Sequence, residues 1–237
     1  MAEAGNRPPG GLLGGLLSRF DDELLRAPVL ATGANGNAAG PPTLAAVQAW
    51  IGQPLAAALL EWCHAPQPAL AVAELSGRGA PALAEALALQ IDGSLRLQAC
   101  AGTGARLALR LGVKCDDLLR ALGRAPRRSD CWDSGWLRDG PAALARLPHW
   151  QARRPTLLLA GDRPADARAA LLAALSAAAS ARSTDACSAG APVASSATSP
   201  AASAAARPIT GPAARRPVLR LLWVHDSGTP LTWRPLA

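Results

Sequence analysis

Two glycine turns carry the first hint of chemistry. Ser76-Gly77-Arg78-Gly79 and Gly102-Thr103-Gly104 each follow a short apolar run and precede a helical pattern, the placement of a loop whose backbone N–H groups cradle phosphate. Such a loop also needs a lysine on the β/γ-phosphate oxygens and a hydroxyl on magnesium. Neither turn has them. The first continues into Ala80-Pro81, where Pro81 removes a backbone donor, and the second into Ala105-Arg106. The single lysine, Lys114, falls beyond both loops, and the planar fork of Arg106 does not imitate a lysine point charge. Conventional P-loop hydrolysis is therefore excluded.

The other reactive types read two ways. Asp162 ends an apolar run, where an acid can hold magnesium through water, but an Asp before Arg-Pro also makes an Asx turn or caps the next helix. His225-Asp226-Ser227 contains the residue types of a catalytic triad, yet consecutive side chains do not ordinarily converge into a relay, so a strand-end turn is expected. Cys63-His64 lacks two further zinc ligands at any local spacing, and no metal is expected. Trp132, Trp136 and Trp150 could stack on bases, but they are also the natural core fillers in a chain with one Phe and no Tyr.

The elements that must position these residues follow from periodicity. Thr43 caps a helical pattern that runs to His64 and is split at Pro54. Ala69–Leu75, Leu95–Cys100, Thr156–Ala160 and Val218–Val224 are short apolar runs of strand length. The stretches Pro81–Gln90, Ala105–Leu111, Asp116–Leu122, Pro141–Leu147 and Ala165–Ala181 read as helices. Gly123–Asp139 reads as irregular. Alternating strands and helices imply an α/β fold with a mostly parallel sheet flanked by helices. Residues 1–42 are expected to be a flexible tail in which Leu16–Val29 can dock as a helix. The Ala/Ser/Pro-rich stretch 183–216 is expected to be a disordered insertion within a single domain over 43–237.

Charge and composition set the class of partner. The formal net charge of +7 rests on 24 basic residues, all but Lys114 arginine, so an RNA backbone or an acidic protein is a natural partner and a solvated arginine surface the plain alternative. Five scattered cysteines form no CxxC pair, which points to a reducing compartment. No secretory leader is expected at the amino terminus, and the apolar runs are shorter than the ~20 residues that span a bilayer.

The order of these elements resembles the RecA-like accessory subunits of the eukaryotic Elongator complex. LAVAELSGRGAPALAEAL resembles that family's first strand, degenerate phosphate loop and helix, and LRLQACAGTGARLALRLGV its second strand and following helix. RPTLLLAGD is similar to its acid-ended strand and LRLLWVHDSG to the strand after it. The sixth-subunit type is favoured through Leu111-Gly112-Val113 and His225-Asp226, with the fifth close behind. The resemblance implies a RecA-like, P-loop-type fold with a degenerate phosphate loop and a non-catalytic role without cofactor. It also implies assembly into a hetero-oligomeric ring with other RecA-like accessory subunits, tRNA binding in support of wobble-uridine modification, and residence in the cytoplasm and nucleus. Arg78, Arg106, Asp162 and His225 are the expected binding residues, at the strand-end loops. A degenerate STAND-type ATPase module and an Arg-rich nucleic-acid-binding protein are the alternative readings.

Overall fold

The computed structural model describes residues 24–28, 42–65, 68–122, 124, 127–150, 152, 154–188 and 218–236. In chain order the elements are β1 (Leu25–Arg26), α1 (Leu44–Ile51), α2 (Pro54–His64), β2 (Leu70–Ser76), α3 (Ala80–Ile91), α4 (Ser94–Ala99) and α5 (Thr103–Ala121). There follow β3 (Asp133–Leu137), α6 (Pro141–Arg146) with a 3-10 turn (Leu147–His149), β4 (Thr156–Ala160), α7 (Ala165–Ser188), β5 (Leu219–His225) and β6 (Thr232–Leu236). The six strands form one mixed sheet in the order β1-β3-β4-β5-β2-β6. The inner four run parallel, while β1 and β6 close the two edges antiparallel.

The inner strands are apolar on both faces because helices cover both. Leu157, Leu159, Leu222 and Val224 point into a core shared with Leu59, Leu75, Leu83, Leu87 and Trp132, under α2 and α3. Their neighbours Leu158, Ala160, Leu221 and Trp223 point the other way, against Leu147 and the α7 residues Leu171 and Leu175. Local signals start the helices. The Thr43 hydroxyl accepts the Ala46 N–H at 3.3 Å, and Pro54 opens α2, where its missing N–H costs nothing.

One buried residue is anomalous for a central strand. Arg220 of β5 is fully buried without a carboxylate partner among its hydrogen bonds. Its guanidinium instead donates to the carbonyls of Trp62 (3.2 Å), Ala65 (2.6 Å), Pro68 (2.8 Å) and Leu219 (3.0 Å). Two of these lie at the carboxyl end of α2, so Arg220 ties that negative helix end to the sheet. Burial depresses its pKa from the usual arginine value, partly countered by Cys63.

The structure corrects several expectations. Leu95–Cys100 is not a strand: α4 takes its place, because Gly93 turns the chain at φ +85° and the Asp92 carboxylate accepts the Ser94 N–H at 2.7 Å, starting a helical turn. The strand that fills the position is β3, in the region read as irregular. Its signal was masked by the buried polar residues Asp133 and Ser134, the latter donating to the Ala88 carbonyl at 3.1 Å. The sheet is accordingly mixed, with β6 read by no apolar run. Arg234 and Pro235 interrupt it, and Pro235 is tolerated only because β6 is an edge. Leu25–Arg26 are strand, not helix, with Leu24 and Leu25 buried. α5 is continuous through Gly112, and α7 runs on to Ser188, into the stretch expected as insertion; the rest of that stretch and residues 1–23 and 29–41 of the expected tail lie outside the described residues.

Candidate binding site at the carboxyl edge of the sheet

From β2 the chain passes β5 and β4 to reach β3, and from the adjacent β5 it passes β2 to reach β6, so the two connections cross at the carboxyl ends of this parallel pair. The carboxyl ends of parallel strands are the usual ligand position in open α/β sheets. The glycine turn after β2 and the His225-Asp226 segment after β5 meet there.

The turn's backbone donors are already used. Gly77 N–H donates to the His225 carbonyl (3.1 Å), Arg78 N–H to the Thr229 carbonyl (2.9 Å), and Gly79 N–H to the Asp226 carboxylate (3.4 Å). Packing seals the same loop. A Cβ on Gly77 would sit 2.5 Å from the Leu231 Cα, and one on Gly79 would sit 2.7 Å from the Trp50 ring. Both residues have positive φ, +126° and +82°, which only glycine adopts without strain. The connection from β5 to β6 thus lies where a phosphate would need the amides, and a carboxylate takes one of them.

Beside the turn lies a charged cluster on the α7 face. Glu74, the lone acid in the β2 apolar run, lies 3.2 Å from His225 Nε2 and 3.9 Å from Arg168 of α7, and accepts two bonds from Arg234 of β6 (2.6 and 2.9 Å). The other ring nitrogen of His225 contacts the Asp162 carboxylate, and Arg168 contacts Nε2 while its guanidinium covers the Trp223 ring at 4.7 Å. His225 and Glu74 are largely shielded, whereas Asp162 and Arg234 are exposed. The cluster alternates acidic and basic side chains, links the ends of β4, β5, β2 and β6, and leaves Arg234 facing solvent.

Of the four expected binding residues, the structure brings together Asp162 and His225, and sets Arg78 in the adjoining glycine turn with its side chain exposed. Arg106 is elsewhere. With Leu95–Cys100 helical, the second glycine turn is not a strand-end loop, and Arg106 lies in the first half of α5, whose other end is tied to the start of β4 through Asp117 and Arg154. Sequence reasoning missed Glu74, Arg168 and Arg234, and read Asp226 only as part of a strand-end turn and not as a partner of Gly79. Of the three, only Glu74, an acid inside an apolar run, carried a readable signal.

The alternatives for the other residues are decided by geometry. Ser227 bonds Thr229 (2.7 Å) and not His225, so the His-Asp-Ser run is a turn. Trp132 is buried edge-on against His64 at 5.5 Å, a core residue. The pKa of His64 is held below the usual histidine value by burial and by Arg128. Among the described residues no group of three or more His, Cys, Asp or Glu side chains could hold a metal ion, and no helix is long and apolar enough to cross a membrane. No protein-family model, no curated protein and no solved structure matches the chain.

Proposed function

We propose that this chain is a non-catalytic RecA-like subunit of the Elongator accessory type, which assembles with like-folded partners in the cytoplasm and nucleus and binds tRNA in support of wobble-uridine modification. The observation that carries the reading is the internal use of all three amides of the glycine turn, one by the end of β5 and two by the β5–β6 connection. A fold that keeps the strand, turn and helix of a phosphate site while closing the site with its own carboxylate has function in association rather than hydrolysis. The order strand, glycine turn, helix followed by an acid-ended strand and a Val-His-Asp strand end supports the family reading. The exposed cations Arg78 and Arg234 at the same edge supply the charge that releases counterions from an RNA backbone.

The test is fluorescence anisotropy of labelled tRNA against salt concentration. Arg78→Ala is expected to weaken binding and to reduce the log–log salt slope by about 0.7–0.9, the value of one phosphate contact. Unchanged affinity and slope would remove Arg78 from the interface, and magnesium-dependent ATP turnover by the purified chain would overturn the non-catalytic reading.

A further inference from the structure

α5 is inverted relative to an ordinary surface helix. Leu109, Val113, Asp116, Asp117 and Arg120, half-buried, share one face, and that face is tied to the body by charge: Arg154 to Asp117, Arg120 to Asp130 (3.2 Å), and Arg124 to Asp116 (3.0 Å) and Asp130 (2.9 Å). The opposite face carries Leu107, Leu111, Cys115, Leu118 and Leu122 within an arc of about 80° at helical spacing. Leu107, Leu111 and Leu122 keep 59%, 57% and 67% of their surface in water, and Cys115 is exposed. Soluble proteins rarely leave so long an apolar stripe uncovered.

The stripe has a symmetry that names its occupant. Leu107 and Leu122 lie equally far from a midpoint between Lys114 and Cys115, and so do Leu111 and Leu118. An isologous two-fold contact requires that residue i meet j of the other copy while j meets i. Two α5 helices packed antiparallel about that midpoint set Leu107 against Leu122 and Leu111 against Leu118 at both ends, with nothing polar opposite a leucine.

We infer that α5 is a self-association helix, and that two copies of this chain pair antiparallel through Leu107, Leu111, Leu118 and Leu122. At 19 residues the helix is about 28 Å long, so the contact is at the small end of specific interfaces, and the dimer is concentration-dependent. The inference does not rest on the tRNA reading and is tested without RNA.

Sedimentation equilibrium of the purified full chain over a hundredfold concentration range should show a monomer–dimer equilibrium. Leu111→Glu, at an exposed position that leaves the body intact, should shift it to monomer by at least tenfold in dissociation constant while the far-UV circular dichroism spectrum is unchanged. Helices packed about 8–10 Å apart, with each Cα about 2.3 Å from its axis, bring the two Cys115 Cα atoms beside the two-fold to about 5–7 Å, so mild oxidation or a short bismaleimide should link Cys115 to Cys115 in the parent and not in Cys115→Ser. A chain that stays monomeric at every concentration, covering the stripe with its own residues or leaving it for a different protein, would overturn the inference. So would a dimer that survives Leu111→Glu, or a cross-link that joins Cys115 to any other cysteine.

Discussion

The carboxylate of Asp226 accepts the amide of Gly79 at 3.4 Å, across 147 residues of chain, and so places a negative charge at the amino end of α3 where a phosphate loop would hold its anion. A bound nucleotide would have to displace that carboxylate and also break the backbone bonds of Gly77 to His225 at the end of β5 and of Arg78 to Thr229 in the β5–β6 connection.

Titration of the chain with a fluorescent ATP analogue and magnesium is therefore expected to give no saturable signal. Asp226→Ala is expected to behave the same way, because the two backbone bonds and the missing lysine remain. Saturable, magnesium-dependent binding by the parent would show that the connection swings aside.

The glycines of the two turns should respond differently to substitution. Gly77→Ala combines a φ of +126° with a Cβ driven to 2.5 Å from the Leu231 backbone, and is expected to cost on the order of 2–4 kcal/mol in urea unfolding. Gly102→Ala meets nothing within 4 Å at an ordinary φ, and is expected to change stability by less than about 1 kcal/mol. Equal effects would mean that the β5–β6 connection does not press on the first turn in solution.

Arg220→Met should be among the most damaging substitutions in the sheet. It leaves the carbonyls of Trp62, Ala65 and Pro68 without their donor in a buried setting, and a loss of about 3 kcal/mol or more is expected. Arg220→Lys should recover part of it, since one ammonium reaches fewer of these oxygens than the fork does. If Met were neutral, water would have to replace the guanidinium.

Asp92 gives the fold an acid-side contribution. Burial pushes its carboxyl up to about 6, with Asp133 adding to the rise and the Ser94 hydrogen bonds opposing it. The folded value lies above the unfolded one, so the contribution is full below about pH 4 and is lost as the pH climbs through 6. Asp92→Asn keeps an acceptor for the Ser94 N–H and carries no charge. It is expected to be more stable than the parent at pH 8 by about 1–3 kcal/mol and equal to it at pH 4. No gain at pH 8 would show that the charged cap outweighs its desolvation.

Continuous apolar runs made the buried strands legible: Thr156–Ala160 is β4 residue for residue, and the runs at 69–75 and 218–224 shift by one residue to give β2 and β5. The same rule failed at Leu95–Cys100, where alternating leucines suit a strand as well as a short helix, and the local bond from Ser94 to Asp92 decides for the helix. It failed again at β3, because Asp133 and Ser134 are buried polar residues satisfied by partners distant in sequence. Strands β1 and β6 have edge positions, which accept Arg26, Arg234 and Pro235 and so leave no apolar signature. At the site, the absence of a phosphate-binding lysine was readable from the sequence, whose single lysine is Lys114. The seal over the glycine turn was not, since it depends on Thr229 and Asp226 meeting a loop about 150 residues earlier.

The position of β5 governs how the chain can be made. It lies between β4 and β2, yet it follows both in sequence, the nearer by 58 residues from Ala160 to Val218. Until Leu219–His225 leaves the ribosome, β2 on one side and β3–β4 on the other have no common neighbour, and because β6 comes later still, β2 is open on both edges and β4 on one. Loop closure over that distance is slow compared with helix formation, so α2, α3 and α7 are expected to form before the sheet joins. A nascent chain stalled before Val218 would expose these three edges at once, and they are the surfaces a chaperone would have to guard.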